Sequence, residues 1–326
     1  MVRGGVSNGP ASSPALRCAA CGSAALALLC PPETIARDLA CARRGLDGFL
    51  HDDARAVHRC RACGSAFRDP AGARADDALR YATWRYRPAT LEQLRRRGRA
   101  DLDRNVARMR ARGVVGGARL LEIGSYAGAF LEFARHMGCR VTGIDVNADV
   151  AAHCDARGLD VRCEAFEAHR FGAGEFDGVW ILNCFEQLPD HGRVLAGAAR
   201  LLRPGGTLVI KTPNAGFLGL LYATDAGPRL RAMAGANALL GVPYAKCFSA
   251  GALRLAIEAH GMRVERVEGQ AFSSAVAGER ARGAAPPWLE VTARRTPRTV
   301  GGHPRAHPAP GERMTPSCSH RVASRW

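Results

Sequence analysis

Lysine is almost missing from this chain. It occurs only at Lys211 and Lys246, although the 326 residues carry 46 basic side chains against 30 acidic ones. The formal net charge of +16 is therefore an arginine charge. A GC-rich coding sequence gives that bias without selection for a polyanion, so the charge alone does not define nucleic-acid binding. Much of the excess is also local. It gathers at Arg95, Arg96, Arg97 and Arg99 through Arg112, and again from Arg294 to Arg325. A solvated helix face and an unstructured tail account for both, and nucleic acid is not the expected partner. No run of 18 apolar residues exists, so no helical membrane span is expected. The apolar stretch from Ala24 to Leu29 is short for an export signal and lies between cysteines with a better use, so a cytoplasmic, reducing setting is expected.

An alternation is what the chain does contain. Strand-like runs at Arg119–Ile123, Val141–Val146, Val161–Ala165, Phe176–Leu182 and Thr207–Lys211 enclose helical patterns at Ala129–Met137, Asp149–Arg157 and Val194–Leu202. This predicts right-handed crossovers and a parallel sheet covered on both faces. After an irregular stretch, 212–247, come a helix at Ser249–His260 and strand candidates at Arg263–Glu268 and Trp288–Ala293. Within the irregular stretch, residues 214–247, with Phe217, Leu218, Leu221, Tyr222 and Tyr244, are an expected acceptor lid or, equally, a core-packing insertion. Leu91, Leu94, Leu102, Val106 and Met109 recur at helical spacing and predict a connector helix over 90–112. The expected organisation is a disordered segment 1–17, a zinc-binding head 18–80, a helical connector 81–113, an α/β domain 114–295 and a disordered basic tail 296–326.

Twelve cysteines in a reducing compartment point to metal ligands and buried thiols. Cys18-Ala19-Ala20-Cys21-Gly22 and Cys60-Arg61-Ala62-Cys63-Gly64 are two knuckles, each presenting two thiolates on one tight turn. Together Cys18, Cys21, Cys60 and Cys63 predict a closed, structural zinc site. Cys30, Cys41, His51 and His58 are the alternative ligands, and a redox pair is the alternative use. Cys139, Cys154, Cys163 and Cys184 fall within strand or helix patterns and read as small core residues.

The densest chemical signal lies between residues 120 and 145. Leu120-Leu121-Glu122-Ile123 ends on Gly124, Gly128 follows, and a helical pattern begins. Val141-Thr142-Gly143-Ile144 then ends on Asp145. Glycines at the first turn let a ligand approach the backbone, and an acid at the tip of the second strand can accept from a ribose diol. Dinucleotide sites need G-x-G-x-x-G. Here Tyr126 takes the place of the middle glycine and no third follows in register, so a pyrophosphate would be crowded. The pocket reads as one for a nucleoside without phosphates. Gly124 could equally serve only the turn, and Asp145 only the start of the next helix.

In order, these residues resemble the class I S-adenosylmethionine-dependent methyltransferases. Glu122 to Gly128 is similar to the family's acid-and-glycine motif in a GSxxG variant. Asp145 matches the ribose acid. Phe176-Asp177-Gly178-Val179 with Asn183-Cys184-Phe185-Glu186-Gln187-Leu188-Pro189-Asp190 is similar to the fourth strand and its EHLPDP loop, Gln187 standing where histidine is usual. Leu202-Arg203-Pro204-Gly205-Gly206 is similar to the LKPGG turn, and Lys211-Thr212-Pro213-Asn214 to the STPN exit. Over residues 80–293 the resemblance implies a Rossmann-like, doubly wound sheet, parallel with one antiparallel C-terminal strand. It implies S-adenosylmethionine held at Glu122, Gly124, Ser125, Tyr126, Gly128, Asp145, Val146, Ala165, Asn183 and Phe185.

A cysteine-knuckle head before this fold resembles a bacterial subgroup of C- and O-methyltransferases acting on nucleotide-linked sugars and other specialised metabolites. Cys63-Gly64-Ser65-Ala66-Phe67-Arg68-Asp69-Pro70, the tyrosines from Tyr81 to Tyr86, and Tyr244, Phe248-Ser249 and Leu253 extend that likeness. The implied reaction methylates a small-molecule acceptor; Glu186, His191, Tyr222 and Tyr244 are the candidates near the expected mouth, with His191 or Glu186 expected as the base. Two other readings stay open. One is a non-catalytic adaptor with a vestigial pocket. The other is an RNA or protein methyltransferase, which has only charge behind it because Asn183-Cys184-Phe185-Glu186 lacks the (D/N)PPY pattern.

Overall fold

The structure is a computed structural model and describes residues 16–42, 55–70, 80–225, 227–234, 246–270 and 286–297. His51, Tyr244, and most of both segments expected to be disordered lie outside the described residues.

The chain opens with β1 (Leu26–Cys30), α1 (Pro32–Ala42), β2 (Val57–Cys60) and β3 (Ala66–Arg68). Three helices follow: α2 (Arg80–Thr83), α3 (Pro88–Asp103) and α4 (Val106–Ala111). Then come β4 (Arg119–Ile123), α5 (Ala129–His136), β5 (Arg140–Asp145), α6 (Ala148–Asp155), β6 (Val161–Cys163), β7 (Phe176–Leu182), α7 (His191–Leu201) and β8 (Leu202–Pro213). The last part comprises α8 (Ala215–Tyr222), α9 (Gly227–Ala234), β9 (Lys246–Cys247), α10 (Ala250–Glu258), β10 (Met262–Gln270) and β11 (Trp288–Arg295).

The large sheet runs β10-β11-β8-β7-β4-β5-β6. β11 is antiparallel to both neighbours and the other pairings are parallel, which is the expected sheet. Its central strands are apolar on both faces because both faces are covered. Leu121, Ile123, Val179, Ile181, Leu208 and Ile210 enter one core, and Leu120, Trp180 and Val209 enter the other with Phe130 and Phe133 of α5.

The expected connector helix is interrupted between α3 and α4. Asn105 Nδ2 donates to the Asp101 carbonyl at 2.7 Å, a local alternative to helix propagation, and Asn105 leaves the helical region at φ −120°. The connector's arginines are largely engaged within the protein. Arg95 pairs with Glu92 and with Glu132 of α5, Arg99 with Asp103 and Glu132, and Arg157, just past α6, reaches back to Glu92 at 2.7 Å. Arg112 and Glu290, each 4% exposed, meet at 2.6 Å, and Arg108 joins the same carboxylate at 3.0 Å. The arginine cluster thus docks α3 and α4 onto the sheet and its helices.

The head does not end at its own cysteines. β9 pairs with β3, Ala66 opposite Cys247 and Phe67 opposite Lys246, extending the β1-β2-β3 sheet. Phe217, Leu218 and Leu221 of α8 bury themselves with Cys30, Ile35, Val57 and Ala66. Of the two uses expected for 214–247, α8 therefore serves core packing. Its apolar residues complete the core that the head's strands share with Ile35 of α1. Leu218→Ala should lower stability by about 2–5 kcal/mol in urea unfolding. Leu255→Ala on exposed α10, where the side chain is 68% accessible, should change it by less than about 0.5 kcal/mol.

Candidate active site

Strand order reverses between β4 and β7, and ligands of doubly wound sheets bind there, beyond the carboxyl ends. Gly124 leaves β4 with φ +77° and Gly128 enters α5 with φ +74°. A side chain at Gly124 is excluded a second way, since its Cβ would lie 2.5 Å from Cys184 Sγ. Cys184 thus closes the turn from the β7 side. Gly124 and Ser125 both donate to the Ile144 carbonyl, at 2.8 and 3.2 Å, and bring the turn against β5.

Asp145 ends β5 and accepts the Tyr126 N–H at 2.9 Å and the Asn147 N–H at 3.0 Å. Burial pushes its carboxyl up and backbone amides, Tyr126 first, pull it back. Asn147, 2% exposed, caps α6 through the Val150 N–H and donates its amide to the Tyr81 and Trp84 carbonyls at 2.7 and 2.8 Å. Asp149 accepts the Tyr86 N–H at 2.9 Å. The segment 81–86 is thereby laced over the β5–α6 turn. The Tyr86 and Tyr126 rings meet edge to face at 5.8 Å, and burial raises both phenols. Asn147 escaped the sequence reading. Its signal is an Asx residue directly ahead of a helical pattern.

Glu122 is buried, and burial, then the neighbouring Asp145 charge, holds its carboxyl well above the usual carboxylate range. Among the described residues its Oε2 has no hydrogen-bond partner, nor does Glu164 Oε1. The Glu164 N–H donates to the Asp145 carbonyl at 3.0 Å, which sets Glu164 and exposed Ala165 beside Asp145 and Val146. The structure therefore gathers Glu122, Gly124, Tyr126, Gly128, Asp145, Val146 and Ala165 about one turn. Asn183, exposed and at φ +54°, stands at the end of β7. Two expected residues sit differently. The Ser125 hydroxyl is turned onto β5, where a Cβ on Gly143 would meet it at 2.1 Å, so its side chain faces the sheet. Phe185 is fully buried with its ring 5.2 Å from Phe248, which makes it a core residue and not a lining one.

Glu186 is 0% exposed. The Thr212 hydroxyl donates to it at 3.2 Å, and Gln187 Nε2 approaches its other oxygen at 3.4 Å. Burial lifts its carboxyl to about 7. Gln187, standing in for histidine, also donates to the Asn183 carbonyl at 3.2 Å and so steadies the turn. His191 opens α7 behind the Asp190 cap, its ring against Phe185 and Phe248. Burial, then the nearby Lys246, lowers its imidazole below the ordinary value.

The four knuckle thiols converge, with every Sγ within 4.8 Å of the others. Cys18 lies 3.7 Å from Cys63, and Cys21 3.6 Å from Cys60. A tetrahedron with metal–sulfur bonds of about 2.3 Å has edges of about 3.8 Å, so the set fits a zinc ion. Four protein ligands would complete the shell and leave no reactive position. Two of the alternative ligands are used elsewhere: Cys30 is buried in the α8 core and His58 pairs with Asp69 at 3.3 Å. The second knuckle is tied to α10, whose cap Ser249 donates its hydroxyl to the Cys63 carbonyl at 2.5 Å and its N–H to Ser65 Oγ at 3.1 Å.

Residues 92–267, more than half of the chain, match the family model described as a methyltransferase domain. The chain belongs to this family of S-adenosylmethionine-dependent methyltransferases. Among curated proteins it is similar to a ubiquinone biosynthesis O-methyltransferase of Caulobacter vibrioides, 33% identical over 136 residues, 40% of this chain and 53% of that one. A protein of the same name from Aromatoleum aromaticum is 34% identical over 114 residues, 33% and 49% of the two chains. The chain spans about half the length of the curated relatives it matches. Among solved structures, an S-adenosylmethionine-dependent methyltransferase from Mesorhizobium loti aligns with 21% identity over 59% of this chain and 97% of that one, at a TM-score of 0.46.

Gly124→Ala should cost more than about 1 kcal/mol, from the positive φ and the clash with Cys184 together. Elemental analysis of the purified chain should find one zinc per molecule. A strong chelator or Cys60→Ser should remove the metal and lower the melting temperature.

Proposed function

We propose that the chain transfers a methyl group from S-adenosylmethionine to a small-molecule acceptor in the cytoplasm, on a hydroxyl or carbon of a sugar or specialised metabolite. The observation that carries this is the glycine turn set against Asp145, without a third glycine for a pyrophosphate. The name shared by the curated relatives supports an oxygen acceptor. The internal engagement of the connector's arginines supports a small molecule over RNA.

Bound S-adenosylmethionine supplies an electrophilic methyl on a sulfonium, and its leaving group is neutral. Asp145 would accept from the ribose diol, and the turn from Gly124 to Gly128 and Ala165 would hold the rest of the molecule. Segment 81–86, held by Asn147 and Asp149, covers the site and keeps water out. Holding methyl and acceptor in line supplies on the order of 7–11 kcal/mol. As the new bond to the acceptor oxygen forms and the carbon–sulfur bond breaks, the hydroxyl proton passes to a base. Glu186, at about 7, has the strength suited to that task near neutral pH. His191, neutral at physiological pH because burial lowers it, is the second candidate.

Methyl incorporation from labelled cofactor into phenolic and sugar hydroxyls tests this reading. The rate should rise with pH through about 7, because only ionised Glu186 accepts the proton. Glu186→Gln should abolish that limb and slow transfer by about 10²–10⁴-fold. Persistence of the limb in Glu186→Gln, with its loss in His191→Gln, assigns the base to His191. A chain with no affinity for S-adenosylmethionine would instead be the adaptor. The same raised carboxyl makes the fold lose stability as pH climbs from the usual carboxylate range through about 7, since the folded chain retains a proton there that the unfolded chain releases.

A further inference from the structure

Lys211 stands on β8 two residues before the strand ends, at the same end of the sheet as Gly124 and Asp145. It is level with Leu182 of β7, and its carbonyl accepts the Asn183 N–H at 2.8 Å. Trp288 and Glu290 lie opposite Pro213 and Lys211 across the antiparallel pairing, so all share one face. Val209, two residues earlier on that face, packs with Trp180 and Phe130, which makes it the α5 side.

The ammonium of Lys211 lies 5.6 Å from the centre of the Trp288 ring. Glu290, the acid facing it, is already claimed: Arg112 and Arg108 pair with one oxygen and the Gln270 amide donates to the other. Among the described residues Nζ makes no hydrogen bond and no ion pair. Lys246, the other lysine, gives its protons to the Leu188 and Pro189 carbonyls at 3.0 and 2.8 Å. Burial lowers the Lys211 ammonium, with Glu290, Asp101, Arg108 and Glu186 as the charged groups around it. The side chain is still partly open to solvent. A largely buried cation without a partner is costly unless an anion reaches it, and at the ligand-binding end of a sheet that anion is a substrate group.

We propose that Lys211 holds an anionic oxygen group of the acceptor, a carboxylate or a phosphate, with the Trp288 ring as the flat wall beside it. This rests on the methyltransferase reading and specifies its acceptor class as acidic. The full chain saturated with S-adenosylhomocysteine would be titrated by calorimetry with 4-hydroxybenzoate, 4-hydroxyphenyl phosphate and neutral 4-hydroxybenzamide. At least one anion should bind at least about tenfold tighter than the amide, and the better of the two identifies the group. Lys211→Met should erase the preference and Lys211→Arg should keep most of it. Reductive methylation with ¹³C-formaldehyde labels only the two lysines and the amino terminus, so the sites can be followed by NMR. The favoured anion should move the Lys211 signal and leave that of Lys246 in place. Equal binding of amide and anions, no binding of either anion, or an unaltered preference in Lys211→Met overturns the proposal while S-adenosylhomocysteine still binds. Failure of the wild-type chain to bind S-adenosylhomocysteine overturns the methyltransferase reading, and this proposal with it.

Discussion

One carboxylate organises the candidate site. Asp145 accepts the Tyr126 and Asn147 amides, and those two bonds fix the glycine turn after β4 and the start of α6 relative to each other. Everything else about the turn follows from that constraint. Tyr126 takes a positive φ of 45° because its amide must point at Asp145, and its ring is then carried out to meet Tyr86. Gly124 has no side chain, so Cys184 can close the turn from β7. Glu122, one strand pairing away, has its carboxyl raised by burial and then by the Asp145 charge, and among the described residues its Oε2 has no hydrogen-bond partner. The site is pre-organised by backbone amides on a rigid sheet, and this is the kind of positioning that in-line methyl transfer requires.

The second organising fact is that the cysteine head and the elements that follow β8 are one structure. β9 and α8 emerge beyond the catalytic sheet and finish the head's own sheet and core. The knuckle at Cys63 then holds the start of α10, and Phe248, between β9 and α10, packs on Phe185 and His191. The four-cysteine cluster thus bears on Phe185 and His191 through packing. It fixes where the strand 246–247 lies against the loop that follows β7.

Much of this was legible in the sequence, for a physical reason. Gly124, Gly128 and Asp145 declare themselves because a close backbone approach and a strand-tip acid each demand particular residue types at fixed spacing. The four knuckle cysteines do so because thiolate chemistry has few substitutes. Other features depend on contacts that no local pattern encodes. The break at Asn105 comes from a side chain that takes a carbonyl in place of the next helical bond. The capture of β9 by β3 joins residues 179 and 181 apart, and nothing in Lys246-Cys247 announces a strand. A motif position puts Phe185 at the site, but its ring turns into the core. Ser125 likewise turned its hydroxyl to the space left by Gly143. The arginine excess misleads as composition and becomes intelligible only as ion pairs.

The account stands or falls on whether Asp145 holds an adenosyl ligand. Isothermal calorimetry of S-adenosylhomocysteine against the wild-type chain and Asp145→Asn, with NADH as the comparison ligand, measures this directly. The account predicts binding of S-adenosylhomocysteine but not NADH by the wild-type chain, and an affinity weaker by about tenfold or more in the variant while its melting temperature stays close to wild type. Equal affinity in the two chains, or a wild-type chain that prefers NADH, would contradict it.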